Sequence, residues 1–246
     1  MPLHIACYQQ DIVANNPSAN YAKVRAAFEG IEADILVVPE TFTAGFGGDM
    51  AATAEAADGP TLDFARKMAA EHQALFVGTW CVREGAKTYN RMHWVLPDGS
   101  HGHYDKRHLF RLSTEREQLT QGTDSMTFAY KGWRIRPAIC YDLRFPTWLR
   151  NRDNDYDLLM LCANWPASRS QAWSLLLRAR AIENQCFVVG TNRCGTDFSG
   201  DSMIVDYQGN PIAQATAHKE HVISALIDKN ELDTYRYKWP FYLDAD

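Results

Sequence analysis

Three apolar segments of the sequence each lead into a side chain that can serve as an acid, a base, a nucleophile or a hydrogen-bonding group. Glu40 follows residues 37–39, Cys140 follows residues 136–139, and Asn164 follows residues 159–163. Ligands in α/β folds bind in the crevice outside the carboxyl ends of the strands, so these positions are candidates for a functional site. Lys106, which follows the turn after another predicted strand, adds a cation to the set.

Cys140 lies between an apolar segment and residues 142–149, which have the character of a helix start. A thiol at a helix N-terminus has a lowered pKa, because unpaired backbone N–H groups and the helix dipole stabilise the thiolate. The backbone N–H of Tyr141 would then be placed to bind an oxyanion. A buried structural cysteine explains this context equally well, since free cysteines are commonly buried.

Glu40 and Lys106 are ambiguous when each is taken alone. A carboxylate after an apolar run is costly to bury unless it is paired or used, so Glu40 is either functional or a solvated strand end. Lys106 stands among Asp105, Arg107 and His108, and its neighbours alone would indicate a surface lysine.

Apolar periodicity predicts the elements that position these side chains. The predicted strands are residues 3–9, 34–40, 74–82, 91–96, 126–130, 133–140, 157–164, 186–192, 201–206 and 221–227. One predicted helix starts at Ser18 and places Tyr21, Val24, Phe28 and Ile31 on one face, a second runs from Thr61 to about Gln73, and a third carries Trp173, Leu176, Leu177 and Ala181.

The order of these elements is βαβαβ, a strand-rich middle, βαβ and further strands. Sheets of this kind need cover on both faces, so we predict two sheets packed together with helices outside, an α-β-β-α sandwich. No repeat and no Pro/Gly/Ser-rich linker divides the 246 residues, which predicts a single domain spanning residues 1–246.

Composition argues against several classes of partner and cofactor. The 25 basic and 30 acidic residues give a net charge of −5 without any Lys/Arg-rich run, so neither nucleic acid nor an anionic membrane is an expected partner. The sequence shows no signal peptide and no membrane-length apolar run, which predicts a cytoplasmic location with free thiols.

No metal or other cofactor is predicted. The six cysteines form no CxxC pair, which argues against structural zinc and a thioredoxin-like motif. His101 and His103 flank Gly102 in a predicted polar turn, and they are interpreted as solvated loop residues because no further ligand spacing accompanies them.

Three segments taken together, VVPETF (37–42), YDKRHLF (104–110) and AICYDLRFP (138–146), resemble the motif regions of the nitrilase superfamily of carbon–nitrogen hydrolases. They occur in the family's order, and the resemblance covers nearly the whole chain. It implies that Cys140 is the nucleophile, that Lys106 stabilises the oxyanion and that Glu40 is the general acid and base. The family also has a second glutamate after the lysine, for which Glu115 fits best and Glu117 is the alternative.

The same resemblance implies the α-β-β-α sandwich, usually found as a dimer, so a homodimer is expected. The segments CANWPASR (162–169), RARAIEN (178–184) and TNRCG (191–195) are similar to the omega-amidase branch, which deamidates 2-oxo acid amides such as 2-oxoglutaramate and 2-oxosuccinamate. The partner that this implies is a small-molecule amide. Cys194 is interpreted as a packing residue outside the mechanism.

A 2-oxo acid amide carries a carboxylate, so a cation is expected beside the pocket, and Arg144, Arg169 and Arg193 are the candidates by position. Arg144 belongs to a motif found across the superfamily and is expected to form a structural ion pair. Arg169 lies just past a strand end, where contact with a substrate is expected.

Aromatic side chains near the predicted strand ends are further candidates for the pocket. Trp165, beside Asn164, either lines the pocket or packs in its loop, and the same two alternatives hold for Phe42 and Phe46 on either side of Gly45.

Three alternatives remain open at this stage. The same chemistry could act on an N-carbamoyl compound, an aliphatic amide or a nitrile, because specificity resides in loops around the site. A non-catalytic binding subunit is a second alternative, although Glu40, Lys106 and Cys140 are all present. A thiol redox protein is the third, and the sequence places no resolving cysteine near Cys140.

Overall fold

Two mixed β-sheets form the centre of the protein in a computed structural model that describes residues 2–244. Met1, Ala245 and Asp246, which the predicted domain includes, lie outside the described residues. The first sheet contains β1 (Pro2–Gln9), β2 (Ile35–Val37), β3 (Glu55–Ala56), β4 (Leu75–Glu84), β5 (Lys87–Val95), β6 (His101–Asp105) and β15 (His221–Asp228). The second contains β7 (Phe128–Tyr130), β8 (Trp133–Ile139), β9 (Leu158–Ala163), β10 (Phe187–Asn192), β13 (Met203–Val205) and β14 (Pro211–Gln214).

The strand order is β15-β1-β2-β4-β5-β6 in the first sheet, where β3 also pairs with β4, and β14-β13-β10-β9-β8-β7 in the second. A separate two-stranded ribbon pairs β11 (Cys194–Gly195) with β12 (Phe198–Ser199). Strands β1, β2 and β4 are parallel, and so are β8, β9 and β10. Parallel strands end at the same edge of their sheet, so the residues that follow them are brought together there.

The helices are α1 (Pro17–Phe28), α2 (Pro60–His72), α3 (Glu115–Gln118), α4 (Pro146–Leu149), α5 (Ser170–Asn184) and α6 (Lys229–Lys238). Three 3₁₀ turns cover Cys140–Arg144, Ala167–Arg169 and Phe241–Asp244. No helix within residues 2–244 has the length and apolar character needed to cross a bilayer.

Three apolar layers separate the sheets and helices. The layer between the sheets is formed by buried side chains of both, including Ile5 and Val37 from the first and Met160 from the second. Outside the first sheet, Phe28 of α1 and residues of α2 fill a second layer, and outside the second sheet Trp173 of α5 is part of a third. The architecture is therefore the predicted α-β-β-α sandwich.

Two helix starts differ from the prediction. Asn16, rather than Ser18, caps α1 and accepts a hydrogen bond from the Ala19 backbone N–H at 3.1 Å. That helix ends at Phe28, so Ile31 lies beyond it.

The start of α2 also differs from the prediction. Gly59 occupies the cap position of α2, two residues before the predicted start at Thr61. Thr61 lies within the first turn, where its backbone N–H and hydroxyl both donate to the Glu55 carboxylate, at 2.8 and 2.6 Å.

Strand β6 and helix α6 are among the elements that the sequence prediction missed. His101 and His103, predicted in a polar turn, lie on β6, because that segment pairs antiparallel with β5. Helix α6 was missed because it has little apolar periodicity, and its buried residues are only Leu232 and Arg236.

Asp157 attaches α6 to the second sheet. Its buried carboxylate lies 2.8 Å from Arg236 Nη1, 2.8 Å from Lys229 Nζ and 2.7 Å from Arg134 Nη2. Burial by itself raises the pKa of this carboxyl, but hydrogen bonds from Arg134 and Lys229 outweigh that effect and lower the pKa below its ordinary value.

Asp157→Asn is expected to lower the free energy of unfolding by about 3–5 kcal/mol, because it leaves the buried Arg236 guanidinium without its anion. A carboxyl with a depressed folded-state pKa stabilises the fold above its unfolded pKa of about 3.9 and loses that contribution at lower pH. Urea unfolding should therefore show a difference between wild type and variant at pH 7 that shrinks between about pH 5 and pH 2. A difference that is the same at both ends of this range would contradict the assignment.

Candidate active site

Glu40 and Asn164 join the two sheets at their carboxyl edge. Glu40 comes three residues after β2, and Asn164 directly follows β9. The Asn164 backbone N–H donates to Glu40 Oε2 at 2.8 Å, and its side-chain Nδ2 donates to the Glu40 carbonyl oxygen and to Thr41 Oγ1. Both side chains are buried, so the carboxylate is held in one orientation.

Lys106 lies between two carboxylates in the interior. Its Nζ is 2.8 Å from Glu40 Oε1 and 2.9 and 3.0 Å from the two oxygens of Glu115, and all three side chains are fully buried. Burial lowers the pKa of Lys106, but the charges of Glu115 and Glu40 outweigh it, so the pKa is raised and the ammonium keeps its protons. Glu115 is thus the glutamate that meets the lysine, while Glu117 is exposed.

Asn90 is part of this cluster and was not predicted. Its Nδ2 donates to Glu40 Oε1 at 2.8 Å and to Glu115 Oε1 at 3.2 Å, from a buried position on β5. The Phe110 backbone N–H adds a donor to Glu115 Oε2 at 2.6 Å. A lone asparagine within a strand carries no sequence signal of this role, because only the pairing of β5 with its neighbours brings it to the carboxylates.

Cys140 is the first residue of the 3₁₀ turn after β8, with a φ of 44° in the left-handed region. A residue with a side chain is strained there, and such strain persists only where the surroundings impose it. The expectation of a lowered thiol pKa is wrong. Burial and the charge of Glu40 raise the pKa well above its ordinary value, although Lys106 and the Asn164 backbone N–H oppose them. The resting group is therefore a thiol that needs a base.

The thiol opens onto a cleft whose volume, counted with the part that is open to solvent, is about 590 Å³. The lining residues are Phe46, Phe110, Cys140, Tyr141, Arg144, Asn164, Trp165, Pro166, Arg169 and Phe198. Of the two predicted aromatic residues around Gly45, Phe46 lines the cleft, with Lys106 Nζ 5.1 Å from its ring centroid. Phe42 instead packs in the fully buried layer between the first sheet and its helices, so it is not a pocket wall.

Two arginines in the cleft have no anion within residues 2–244. The Arg144 guanidinium lies 4.9 Å from the centroid of the Trp165 indole, and that of Arg169 lies 5.2 Å from the ring of Phe110. The structural ion pair predicted for Arg144 is therefore wrong, because its partner is an aromatic face. The Arg193 guanidinium lies 4.4 Å from the centroid of the Phe198 ring and is not among the lining residues.

No group of three or more His, Cys, Asp and Glu side chains between residues 2 and 244 is arranged to hold a metal ion. The chemistry that the site offers consists of a nucleophile, a fixed ammonium and two carboxylates, with guanidinium groups at the cleft.

Comparison with known proteins gives a consistent assignment. The sequence profile of the family described as carbon-nitrogen hydrolase matches residues 4–237. Omega-amidase YafV of Escherichia coli K12 is 42% identical over 250 residues, covering 99% of this chain and 97% of that protein. The 2-oxoglutaramate amidase of Bacillus subtilis 168 is 35% identical, covering 98% of this chain and 96% of that protein.

Solved structures agree with this result. XC1258 from Xanthomonas campestris, a CN-hydrolase superfamily protein with an arsenic adduct in its active site, has a TM-score of 0.97 and 38% identity, covering 100% of this chain and 98% of that one. Saccharomyces cerevisiae Nit3, of branch 10 of the nitrilase superfamily, has a TM-score of 0.87 at 23% identity, covering 97% and 94%. The chain therefore belongs to the carbon–nitrogen hydrolase family, and it is a hydrolase that acts on carbon–nitrogen bonds.

Proposed function

We propose that this protein is an omega-amidase, which hydrolyses the terminal amide of 2-oxo acid amides such as 2-oxoglutaramate and 2-oxosuccinamate to the 2-oxo dicarboxylate and ammonia. The observation that carries the proposal is the Lys106 ammonium, fixed by Glu40 and Glu115 near the Cys140 thiol, at a cleft with two arginines that have no anion among residues 2–244. The relatives named omega-amidase and 2-oxoglutaramate amidase support the choice of substrate.

The first half of the reaction forms a thioester. Because the raised pKa keeps Cys140 protonated at rest, Glu40 accepts the thiol proton as the sulfur attacks the amide carbonyl. The negative charge on the carbonyl oxygen is stabilised by the Lys106 ammonium and by the Tyr141 backbone N–H. Glu40 then passes its proton to the nitrogen, the carbon–nitrogen bond breaks, and ammonia leaves.

The second half releases the acid. Glu40 removes a proton from a water molecule, which attacks the thioester carbonyl, and the carbon–sulfur bond breaks to return the proton to sulfur. The Asn164 and Asn90 hydrogen bonds to Glu40 keep its two oxygens in place through both halves. Glu115 is the second carboxylate bonded to the ammonium, and it helps to keep Lys106 in place to stabilise the oxyanion.

The substrate carboxylate is assigned to Arg144. Its guanidinium lines the same cleft as Cys140 and is held on the Trp165 ring without an anion among the described residues. A guanidinium binds a carboxylate through paired hydrogen bonds, and an exposed one on an aromatic face needs little reorganisation to do so. Arg169, which also lines the cleft and contacts Phe110, adds a second positive charge that favours an anionic substrate.

Arg144→Leu is expected to lower kcat/KM for 2-oxoglutaramate about 10- to 100-fold, mainly through KM, because a hydrogen bond to a charged group is worth about 1.5–3 kcal/mol. Activity on an amide without a carboxylate should be unchanged. The matched control is Arg152→Leu, which removes an exposed arginine outside the cleft. Equal losses on substrates with and without the carboxylate would refute the assignment.

The substrate class can be tested against the alternatives by measuring ammonia release from a panel of amides. The panel contains 2-oxoglutaramate, 2-oxosuccinamate, an N-carbamoyl amino acid, a simple aliphatic amide and an aliphatic nitrile. The proposal predicts the highest kcat/KM for the two 2-oxo amides. Turnover confined to another member would leave the thiol mechanism in place and remove the omega-amidase assignment.

We propose that the protein is a homodimer. Helix α5 exposes Leu175 and Ile182, and the chain after α6 exposes Trp239, Phe241 and Leu243. The two stretches adjoin, because Gln185 at the end of α5 donates to the Trp239 carbonyl oxygen at 2.8 Å. Exposed apolar patches of this kind mark association surfaces.

Light scattering is expected to give twice the chain mass of 27.9 kDa. Leu175→Glu combined with Ile182→Glu should shift the protein toward the monomer, because each change places a charge in the apolar patch. A wild-type protein that is monomeric at micromolar concentration would rule out the dimer.

We also propose a cytoplasmic location. All six cysteines are free, and five of them are buried. Free thiols of this kind are stable in a reducing compartment.

A further inference from the structure

Asp142, two residues after Cys140, is a fully buried carboxylate with four close donors. Its Oδ2 accepts from the Ile139 backbone N–H at 3.0 Å and from the Tyr104 hydroxyl at 2.8 Å. Its Oδ1 accepts from the His108 backbone N–H at 2.9 Å and lies 2.7 Å from His108 Nδ1. A buried carboxylate is costly without such partners, so these contacts keep it in the interior.

One of these contacts fixes the turn that carries the thiol. Ile139 is the last residue of β8, and Cys140 follows it in the strained left-handed conformation. The hydrogen bond from Ile139 N–H to Asp142 closes the turn across Cys140. It therefore holds the direction in which the sulfur leaves the backbone.

The other contacts fix the segment that carries the ammonium. Tyr104 and His108 stand two residues before and two residues after Lys106, and both donate to Asp142. Burial and the charge of Asp142 raise the pKa of Tyr104, so its hydroxyl keeps the proton that it donates. One carboxylate is thus bonded to both sides of the lysine and to the residue before the cysteine.

The same contacts extend to the wall of the cleft. The His108 ring stacks on Phe145 at 3.7 Å, and Phe145 meets the ring of Tyr141 at 5.1 Å. Tyr141 in turn packs edge-on against Phe110 at 5.2 Å, and both of these rings line the cleft. The position of His108 therefore also affects the position of Tyr141, whose backbone N–H is assigned to the oxyanion.

We propose that Asp142 is a positioning residue, which sets the Cys140 thiol and the Lys106 ammonium at the distance that lets both act on one carbonyl group. It acts through the two segments and does not touch the substrate. A misplacement of about 1 Å between reacting groups can cost about 100-fold in rate. This inference rests on the proposed function, because it concerns the same sulfur and the same ammonium.

Asp142→Asn tests the inference, because the amide replaces one of the two acceptor oxygens with an N–H donor. The expected result is a kcat about 10- to 100-fold lower with KM changed by less than about threefold. Alkylation of Cys140 by iodoacetamide, followed by peptide mass mapping, should slow by a similar factor. The alkylation assay uses no amide substrate, so it separates this inference from the proposed function.

Asp157→Asn is the matched control, since it makes the same chemical change at a buried carboxylate that precedes β9 and is not among the lining residues of the cleft. It is expected to lower Tm while kcat and the alkylation rate remain those of the wild type. If Asp142→Asn likewise lowers Tm but leaves kcat and the alkylation rate at wild-type values, the positioning role is wrong. If the wild type hydrolyses none of the amides and Asp142→Asn still slows alkylation of Cys140, the proposed function is wrong and the positioning role stands.

A second pair of variants covers the case in which Asp142→Asn does not fold. His108→Ala removes one donor to Asp142, whereas His108→Asn places an amide N–H where Nδ1 stands. The expected result is a fall in kcat and in alkylation rate for the alanine variant that the asparagine variant largely reverses. Two variants that both match the wild type would overturn the inference.

Discussion

Cys140→Ala is expected to lower kcat for 2-oxoglutaramate by on the order of 10⁴- to 10⁶-fold, while the far-ultraviolet circular dichroism spectrum stays unchanged. The variant has no nucleophile for the first half of the reaction, so only the Lys106 ammonium and the Glu40 carboxylate remain to assist attack by water. The thiol is half-buried at the cleft, and its removal leaves the packing of the two sheets almost intact. Ammonia release measured at high enzyme concentration gives the residual rate.

The matched control for this variant is Cys194→Ala. Cys194 is a buried thiol outside the cleft, and its Sγ lies 3.6 Å from the Gln9 carbonyl oxygen. We expect wild-type kcat for this control. More than about one hundredth of wild-type activity in Cys140→Ala, or an equal loss in Cys194→Ala, would be incompatible with Cys140 as the nucleophile.

Lys106→Met is expected to have two large effects, because the ammonium serves both the reaction and the fold. Loss of an oxyanion donor costs about 10²–10³ in kcat. Removal of one partner from a buried ion pair costs about 3–5 kcal/mol of unfolding free energy, since Glu40 and Glu115 then share the interior without a cation. Ammonia release and urea unfolding measure the two effects separately.

A second substitution separates the two roles of Lys106. Adding Glu115→Gln to Lys106→Met removes one of the uncompensated charges, so part of the lost stability should return while kcat stays low. Lys87→Met, which removes an exposed lysine on β5, should change neither quantity. A double variant that regains activity together with stability would mean that the ammonium acts on the fold alone.

The sequence predicted a cluster of reactive side chains at strand ends, and the structure brings Glu40, Lys106 and Asn164 together there. Glu40, Cys140 and Asn164 each come after a buried apolar segment. Parallel pairing brings such segments to one edge of each sheet, and the packing of the two sheets brings Glu40 to Asn164. The family resemblance of the three motif segments indicated Lys106, and it left Glu115 and Glu117 as the candidates for the second glutamate. The choice between Glu115 and Glu117 required the structure, because the two positions differ in burial and both lie in one short helix.

Other parts of the site depend on contacts that are distant in the sequence. Asn90 meets Glu40 across 50 residues, and Asp142 meets Tyr104 across 38, so neither role is visible in a local pattern. The thiol pKa of Cys140 was predicted in the wrong direction because the five-residue 3₁₀ turn offers little dipole, whereas burial and Glu40 are features of the assembled site. The ion pair predicted for Arg144 was wrong for a similar reason. Its guanidinium contacts Trp165, which follows a different strand, and this contact is not visible in the local sequence.

The ratio of kcat/KM for 2-oxoglutaramate to that for glutamine is the first measurement to make on the choice of substrate. The two molecules carry the same terminal amide and the same carboxylate, and they differ at carbon 2, where glutamine has an ammonium. Arg144 and Arg169 make the cleft positive, so the ammonium is disfavoured there. We expect kcat/KM to be at least about 100-fold higher for 2-oxoglutaramate than for glutamine. A ratio near one, or turnover of glutamine without turnover of 2-oxoglutaramate, would contradict it.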